Sequence, residues 1–231
     1  AGASPEELEA EYRKLLSDYQ KLAATFHFRT CYSILMLPKK FYENAINHLY
    51  QEELGEIITD DKNIYEELQQ LYAGNPDILS KIRFYENDAI SLGTLYSFET
   101  QIQRAISERV WMKSGAYLII QPTEALTVID VNSGKNTSGK NAEEYYYKIN
   151  LEAAAEISRQ LRLRNISGIV IVDFINMAKE EQRKELMHQF RLSLKEDPVP
   201  VRLVDITKLG LVELTRKKER KTLLEQVAQL R

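Results

Sequence analysis

The sequence predicts an α/β (α+β) protein, because helical patterns alternate along the chain with short runs rich in valine and isoleucine. Two of these runs are the clearest: residues 126–130 and residues 169–173 each place four apolar or β-branched residues directly before an aspartate. A third observation is a change of pattern near residue 108, after which three predicted strands follow one another. Together these features indicate a buried sheet in the second half of the chain.

The chain opens with a predicted helix. Ser4 is suited to cap it, Pro5 is suited to its first turn, and Glu7 completes a capping box. Apolar residues then recur at alternating steps of four and three from Leu8 to Phe26, which is a heptad-like seam. Two interpretations stay open: a coiled coil, or a helix packed on its own domain or on a piece that precedes the chain.

Helices and strands alternate between residues 40 and 107, which is typical of a small α/β unit. Its helices are predicted at residues 40–54, 62–73 and 94–107, and its strands at residues 55–59 and 81–85. In the second half, strands are predicted at residues 109–113, 116–121, 125–131, 168–174, 201–206 and 210–215, and helices at residues 142–164, 179–196 and from about 221. We therefore divide the chain into a helix and connector (residues 1–39), a first subdomain (residues 40–105) and a second subdomain (residues 106–231).

Composition excludes several classes of protein. No apolar run approaches the roughly 20 residues needed to span a bilayer, and the single cysteine, Cys31, excludes an internal disulfide and a thiolate zinc cage within the chain. One cysteine agrees with a reducing, cytoplasmic location. The net charge of −3 is not that of a basic nucleic-acid binder. The basic run at residues 216–221 is open to two interpretations, a face that binds a polyanion or a solvated helix start.

Asp130 and Asp173 end the two apolar runs and are the first candidate site residues. In an open α/β sheet ligands bind outside the carboxyl ends of the strands, so adjacent strands would bring the two carboxylates together. Two carboxylates with no histidine or cysteine nearby suit a hard cation, most often Mg²⁺. Asn132 shares the face of Asp130 if the strand persists, and Glu124 shares its parity one strand length away. The alternative is that the aspartates only cap the turns that follow.

A loop rich in glycine and lysine spans residues 134–141 and matches the G-x-x-x-x-G-K part of a phosphate-binding loop. Asn141 stands where that motif has Ser or Thr, so the hydroxyl that usually holds magnesium is missing. A nucleotide-binding ATPase therefore stays as an alternative. The favoured interpretation is a basic loop that contacts a nucleic-acid backbone.

Longer motifs resemble the ribonuclease E/G family of bacterial endoribonucleases. They are specific and occur in the family's order, and the close match covers about residues 106–220. The resemblance is carried by residues 121–134, 150–154, 157–163, 171–175 and 209–217.

The resemblance implies a DNase I-like catalytic subdomain from about residue 106 and a partial, non-catalytic RNase H-like subdomain over residues 40–105. It also implies that Asp130 and Asp173 hold one Mg²⁺, for which Mn²⁺ can substitute, and that Asn132 and Glu124 are active-site residues. The implied activity is cleavage of single-stranded RNA that leaves 5′-phosphate and 3′-hydroxyl ends, in processing of ribosomal and transfer RNA precursors or in RNA decay.

Lys135, Lys140 and Lys208 are the nearest candidates to neutralise the RNA backbone. Asn176 departs from the family pattern, which has an aspartate there, and this lowers the expected negative charge of the site. We expect the family's S1 RNA-binding domain and most of its 5′-phosphate sensor to lie outside this chain. Its intersubunit zinc cysteines are expected there too, so oligomerisation stays open without a zinc link within the chain. A non-catalytic RNA-binding or scaffold role is the remaining alternative.

Overall fold

The computed structural model describes residues 5–36, 40–48, 54–87, 89–134 and 142–229. The chain divides between Leu92 and Gly93 into two compact units, and each unit has a hydrophobic core of its own. Both units combine helices with strands, in agreement with the predicted α/β (α+β) class. The assignment of RNase H-like and DNase I-like subdomains, with a boundary at residues 105–106, stays a prediction.

The first unit forms its core from helices and a small parallel sheet of two strands. Leu68, Ile78 and Ile82 are among its most buried residues, with 2%, 4% and 6% of their surface exposed. The elements described here are α1 (Pro5–Thr25), a 3₁₀ turn (Phe26–Phe28), α2 (Phe41–His48), β1 (Ile57–Thr59), α3 (Lys62–Leu71), α4 (Pro76–Leu79) and β2 (Ile82–Phe84). All of them except the 3₁₀ turn and α4 were predicted from the sequence.

The apolar seam of α1 is exposed to solvent. Leu8, Tyr12, Leu15 and Tyr19 each leave more than half of their surface accessible. Packing of this seam on the helix's own domain, one of the two interpretations of the sequence, is therefore not observed among the described residues.

The second unit contains the longer strands and helices. Its helices are α5 (Leu92–Leu95), which begins at the last residue of the first unit, α6 (Phe98–Ile106), α7 (Ala142–Leu163), α8 (Glu180–Leu194) and α9 (Leu223–Gln229). Its strands are β3 (Arg109–Trp111), β4 (Tyr117–Pro122), β5 (Leu126–Asn132), β6 (Gly168–Asp173), β7 (Val201–Ile206) and β8 (Val212–Arg216). The predicted strands and helices of this region are confirmed to within a few residues. The helix predicted over residues 94–107 is divided at Ser97, which has a left-handed backbone (φ 52°).

The six strands form one mixed sheet in the order β3-β4-β5-β6-β8-β7. Only β5 and β6 are parallel neighbours, and the other pairs are antiparallel. A parallel pair needs a long crossover, because the chain must return to the end of the sheet from which it started. Helix α7 lies within that crossover, so the two apolar strands that end on Asp130 and Asp173 run side by side in the same direction.

One face of the sheet is buried and the other is open. Alternate residues of the strands join side chains of α7 and α8 in a core that includes Leu118, Ile129, Val170, Val172, Leu214, Ala153, Ile157, Leu161, Leu186 and Phe190. Residues that alternate with these face the other side, where Val128, Ile169 and Trp111 expose 36%, 48% and 62% of their surface. Asp130 and Asn132 belong to this open face, since they alternate with the buried Ile129 and Val131. None of the described helices combines the length and apolar character that crossing a bilayer requires.

Candidate metal centre

Asp130 and Asp173 are direct partners across the parallel pair β5–β6. Neighbouring strands lie about 4.8 Å apart, and residues at the same level of a parallel pair project from the same face. Asp130 is half-buried and Asp173 is exposed, so solvent and ions reach both carboxylates. The predicted convergence of the two strand ends is therefore what the register shows.

Asn132 lies beside this pair at the end of β5. Its side-chain amide donates a hydrogen bond of 2.7 Å to a carboxylate oxygen of Asp130. An asparagine amide can donate two hydrogen bonds and accept two, so this bond uses one of its four. The amide thus fixes the Asp130 carboxylate and keeps polar atoms for a ligand at the same place.

The donor set fits a hard divalent cation. Carboxylate and amide oxygens are the ligands that Mg²⁺ and Mn²⁺ prefer, and Mg²⁺ typically uses one or two carboxylates and keeps several waters. In the part of the chain that the structure describes, no cluster of three or more histidine, cysteine or acidic residues could hold a metal ion. The pair of carboxylates is a smaller set of protein ligands than such a cluster, and a cation held there would keep several waters.

Helix α7 fixes the backbone that follows Asp173. The side chain of Asn150, which is completely buried, donates a hydrogen bond of 2.8 Å to the carbonyl of Ile175 and accepts one of 3.0 Å from its N–H. A buried amide with both of its ends paired to one residue is a rigid connection. The sequence marked Asn150 only as part of a family motif. In the sequence, the neighbouring apolar residues Ile149, Ala153 and Ala154, which are buried in the structure, were the signal that Asn150 has a structural role.

A second side chain of α7 fixes the turn between β3 and β4, which lies at the same end of the sheet. A carboxylate oxygen of Glu152 accepts hydrogen bonds from the backbone N–H groups of Lys113 (2.8 Å) and Ser114 (3.3 Å). The chain that leaves β5 packs closely on this turn, because a Cβ added to Gly134 would lie 2.8 Å from the carbonyl oxygen of Gly115. The segment around the two aspartates is therefore held on both sides.

Glu124 is not brought to this site. It lies in the turn between β4 and β5, whereas Asp130 lies near the other end of β5. The strand from Leu126 to Asp130, about 13 Å long, separates that turn from the site. Glu124 lines a cavity at the opposite edge of the sheet, together with Gly168 and Lys218. This side chain therefore cannot contact a cation held between Asp130 and Asp173.

Lys208 lies in the turn between β7 and β8, beyond the end of β6. It lines a small cavity of about 160 Å³ together with Asn176 and Arg183. Sequence reasoning missed Arg183, which α8 brings to this edge from a position with no sequence signal of its own. Lys135 and Lys140, the other two predicted RNA-binding residues, lie outside the described residues, as does most of the predicted phosphate-binding loop.

The basic run at residues 216–221 is not uniformly a surface feature. The guanidinium of Arg216 is buried and makes a bidentate ion pair with Asp197, with N–O distances of 2.8 and 3.1 Å. It also donates hydrogen bonds to the side chain of Asn165 and the carbonyl of Ile166. Both sequence interpretations of this run are therefore wrong for Arg216, whose charge is neutralised inside the protein.

Comparison with known proteins gives one consistent family. Residues 1–219 match the model of the ribonuclease E/G family. Ribonuclease E of Haemophilus influenzae is 32% identical over 218 residues, which cover 94% of this chain and 23% of the relative. Ribonuclease G of Salmonella typhimurium is 39% identical over 181 residues, covering 78% of this chain and 37% of the relative. Ribonuclease E of Synechocystis is 37% identical over 194 residues, covering 82% and 28%.

The chain thus spans about a quarter to a third of the length of these curated relatives. The match covers the strands that carry Asp130 and Asp173, the helix that carries Asn150 and Glu152, and the first unit as well. A match of this length and identity shows that the chain belongs to the ribonuclease E/G family.

Proposed function

We propose that this chain is the catalytic part of a magnesium-dependent endoribonuclease that cleaves single-stranded RNA in the cytoplasm, in processing of ribosomal and transfer RNA precursors or in RNA decay. The observation that carries the proposal is the register pairing of Asp130 with Asp173 at an accessible edge of the sheet. Family membership supports it, because the matching relatives are named ribonuclease E and ribonuclease G.

Asp130 and Asp173 are the residues that would hold Mg²⁺, and Mn²⁺ can take its place because it prefers the same oxygen ligands. When bound there, the cation supplies Lewis-acid polarisation of the phosphate and lowers the pKa of the attacking water. Asn132 keeps the Asp130 carboxylate in place, and its remaining polar atoms orient a water or a phosphate oxygen. Glu124 is given no step in this chemistry, since it lies a strand length away.

Basic side chains at the same edge contact the RNA backbone. Lys208 and Arg183 lie beside the segment that follows Asp173, where a phosphate would approach the two carboxylates. Cations at this position reduce the repulsion between the RNA and the acidic site, and they add a salt-dependent term to binding. Lys135 and Lys140 keep the same proposed role in the sequence that follows β5.

The ends of the products follow from the nucleophile. Attack by water breaks the bond to the 3′ oxygen, leaving a 5′-phosphate on one product and a 3′-hydroxyl on the other. Attack by the neighbouring ribose 2′-hydroxyl, which needs no metal-activated water, leaves a 2′,3′-cyclic phosphate instead. Identification of the ends by mass spectrometry therefore separates the proposed mechanism from a metal-independent one.

The test uses a short, unstructured RNA labelled at one end, with Mg²⁺, with Mn²⁺ and with EDTA. We expect cleavage with either metal and none with EDTA. The variants Asp130→Asn and Asp173→Asn are expected to lose cleavage while keeping the circular dichroism of the unaltered chain. The matched control is Asp77→Asn, an exposed aspartate in the first turn of α4, which should cleave normally. Undiminished metal-dependent cleavage by both site variants would overturn the proposal.

The same reactions separate the two alternatives. A non-catalytic RNA-binding fragment would bind the labelled RNA without turnover in Mg²⁺ or Mn²⁺. A nucleotide-binding ATPase would bind ATP tightly and lose that binding in Lys140→Ala, with the RNA left intact. Either result would replace the nuclease assignment for this chain.

A further inference from the structure

Outside the carboxylate pair, the open face of the sheet carries a cluster of one cation and two aromatic rings. The rings of Trp111 and Tyr117 lie 5.0 Å apart, tilted by 55°. The guanidinium of Arg109 lies 4.7 Å from the centroid of the Tyr117 ring and 5.6 Å from that of Trp111, within cation–π distance of both. We name Arg109, Trp111 and Tyr117 the stacking platform.

Strand register places the stacking platform beside the candidate metal centre. Tyr117 on β4 is the direct partner of Asn132 on β5, and Trp111 on β3 is the direct partner of Tyr117. Paired residues of neighbouring strands share a face, so Trp111, Tyr117, Asn132 and Asp130 all project from the open side. Two strand spacings, about 10 Å, separate Trp111 from Asn132.

The platform is exposed in a way that packing does not explain. Trp111 leaves 62% of its surface accessible, although an indole is a large apolar group that normally contributes to a core. The neighbouring Val110 points the other way and packs on the core of the sheet. No carboxylate among the described residues forms an ion pair with Arg109. A positive charge and accessible ring faces therefore stand together next to the site.

We propose that the stacking platform binds a nucleobase of single-stranded RNA adjacent to the scissile phosphate, a role that rests on the function proposed above. Bases stack on exposed aromatic rings and on planar guanidinium groups, and the arginine charge also attracts the phosphate backbone. The distance to Asn132 suits a base that flanks the phosphate at the metal centre. A purine overlaps the indole more fully than a pyrimidine does, so the platform favours adenine and guanine on one side of the cleavage site.

Trp111 is the only tryptophan in the chain, and its fluorescence reports directly on this contact. The chain is titrated with oligoadenylate in EDTA, so that binding is measured without cleavage. Stacking on the indole is expected to quench the fluorescence, and oligoadenylate is expected to bind more tightly than oligouridylate. An abasic oligonucleotide of the same length carries the phosphates without the bases and should leave the fluorescence unchanged.

The anisotropy of a labelled oligoadenylate measures the affinity of variants that lack tryptophan. Trp111→Ala should raise Kd by about fivefold or more, the lower end of what alanine substitution costs at a stacked base. Trp111→Phe keeps a ring and should restore most of the affinity. The matched control is Tyr19→Ala, an equally exposed aromatic residue on α1, which should bind as the unaltered chain does.

Several results would overturn the platform: equal quenching by the abasic oligonucleotide, quenching by no oligonucleotide, or unchanged affinity in Trp111→Ala. Quenching by no oligonucleotide would leave a protein segment as the ligand of the exposed rings. The test of base binding is independent of the test of cleavage, because oligoadenylate should still quench the fluorescence of Asp130→Asn fully in EDTA. Intact quenching in an unaltered chain that does not cleave RNA with Mg²⁺ or Mn²⁺ would overturn only the catalytic assignment.

Discussion

Asn150 and Ile175 are joined by two hydrogen bonds, from the amide side chain of one to both backbone polar groups of the other. Asn150 is buried in the middle of α7, and Ile175 lies two residues beyond Asp173. The helix on the covered face of the sheet thereby determines the path of the chain just after a proposed metal ligand. Packing of the core and geometry of the site are linked through this one side chain.

Replacement of Asn150 by alanine should therefore affect stability and metal binding together. It leaves two backbone groups of Ile175 without their partners, at a cost of about 1–3 kcal/mol in the free energy of unfolding. Without these hydrogen bonds the segment after Asp173 is no longer tied to the helix. The carboxylate of Asp173 should then be held less well in place, and Mn²⁺ should bind more weakly. Urea denaturation measures the first effect, and paramagnetic resonance of Mn²⁺ measures the second.

Ser158→Ala is the matched control for Asn150→Ala. Ser158 is buried on the same helix, and its hydroxyl donates only to the carbonyl of Ala154, one turn earlier. We expect a cost below about 1 kcal/mol, with unchanged Mn²⁺ affinity. Wild-type Mn²⁺ affinity in Asn150→Ala would show that the two hydrogen bonds do not position Asp173.

Gly134→Ala should destabilise the end of β5 by about 2 kcal/mol or more. Gly134 has a φ of +75°, and an added Cβ would meet the backbone carbonyl of Gly115 at 2.8 Å, where neither atom can easily move away. The comparison is Gly168→Ala, whose φ is +87° but whose Cβ would meet nothing within 4 Å. Gly168→Ala should cost only about 1 kcal/mol for its backbone conformation. Equal losses in the two variants, measured by urea denaturation, would argue against the close contact.

Removing the buried cation of the Arg216–Asp197 pair should be severely destabilising. Arg216→Met leaves the buried carboxylate of Asp197 without its cation, with only the hydrogen bond from the backbone N–H of Val199, at a cost of about 3–5 kcal/mol. Replacing both residues, as Arg216→Met with Asp197→Leu, should recover much of that loss because no buried charge remains. A double-mutant cycle in urea measures the coupling between the two residues.

The exposed pair next to it provides the comparison. Lys217 lies 3.4 Å from Glu219 with 65% of its side chain accessible, so Lys217→Ala should cost less than about 1 kcal/mol. If Arg216→Met were no more costly than Lys217→Ala, the buried pair would contribute nothing beyond a surface one.

Stability in acid should depend in part on Glu156. Burial raises the pKa of this carboxyl, but hydrogen bonds from Arg159 and Gln160 more than offset that effect and leave its pKa below the ordinary value. A lowered pKa stabilises the fold above the ordinary glutamate value, about 4.3, and the benefit is lost as the pH falls through the folded pKa. Glu156→Gln should thus be less stable than the unaltered chain at neutral pH, by less than about 1 kcal/mol.

The pH profile is the measurement that checks Glu156. The difference between the two proteins in urea denaturation should shrink as the pH falls below about 4. Glu66→Gln, at an exposed glutamate in the middle of α3, is the control and should give the same stability as the unaltered chain throughout. A difference for Glu156→Gln that stays constant into acid would contradict the assignment.

Prediction from sequence succeeded where the signal was local. The strand ending on Asp173 and the helix of residues 142–164 were predicted within a few residues. Their burial requires apolar residues in a run or at regular intervals, and that pattern is visible in consecutive residues of the sequence. Prediction failed at α4, which is only four residues long, and at the break near Ser97, which interrupts a longer helical pattern. It also failed to show that the seam of α1 is exposed, since a periodic apolar face does not specify its partner.

For the candidate site, the sequence by itself determined that two strands end on aspartates and that the second half of the chain builds a sheet. Only the tertiary structure decided which side chains meet there. In the folded chain Asp130 lies opposite Asp173, and Trp111 lies two strands from Asn132. Glu124 lies at the other end of the strands, and Arg216 is buried. The physical reason is that the order and register of strands result from packing the whole sheet against α7 and α8, and no single segment contains that information.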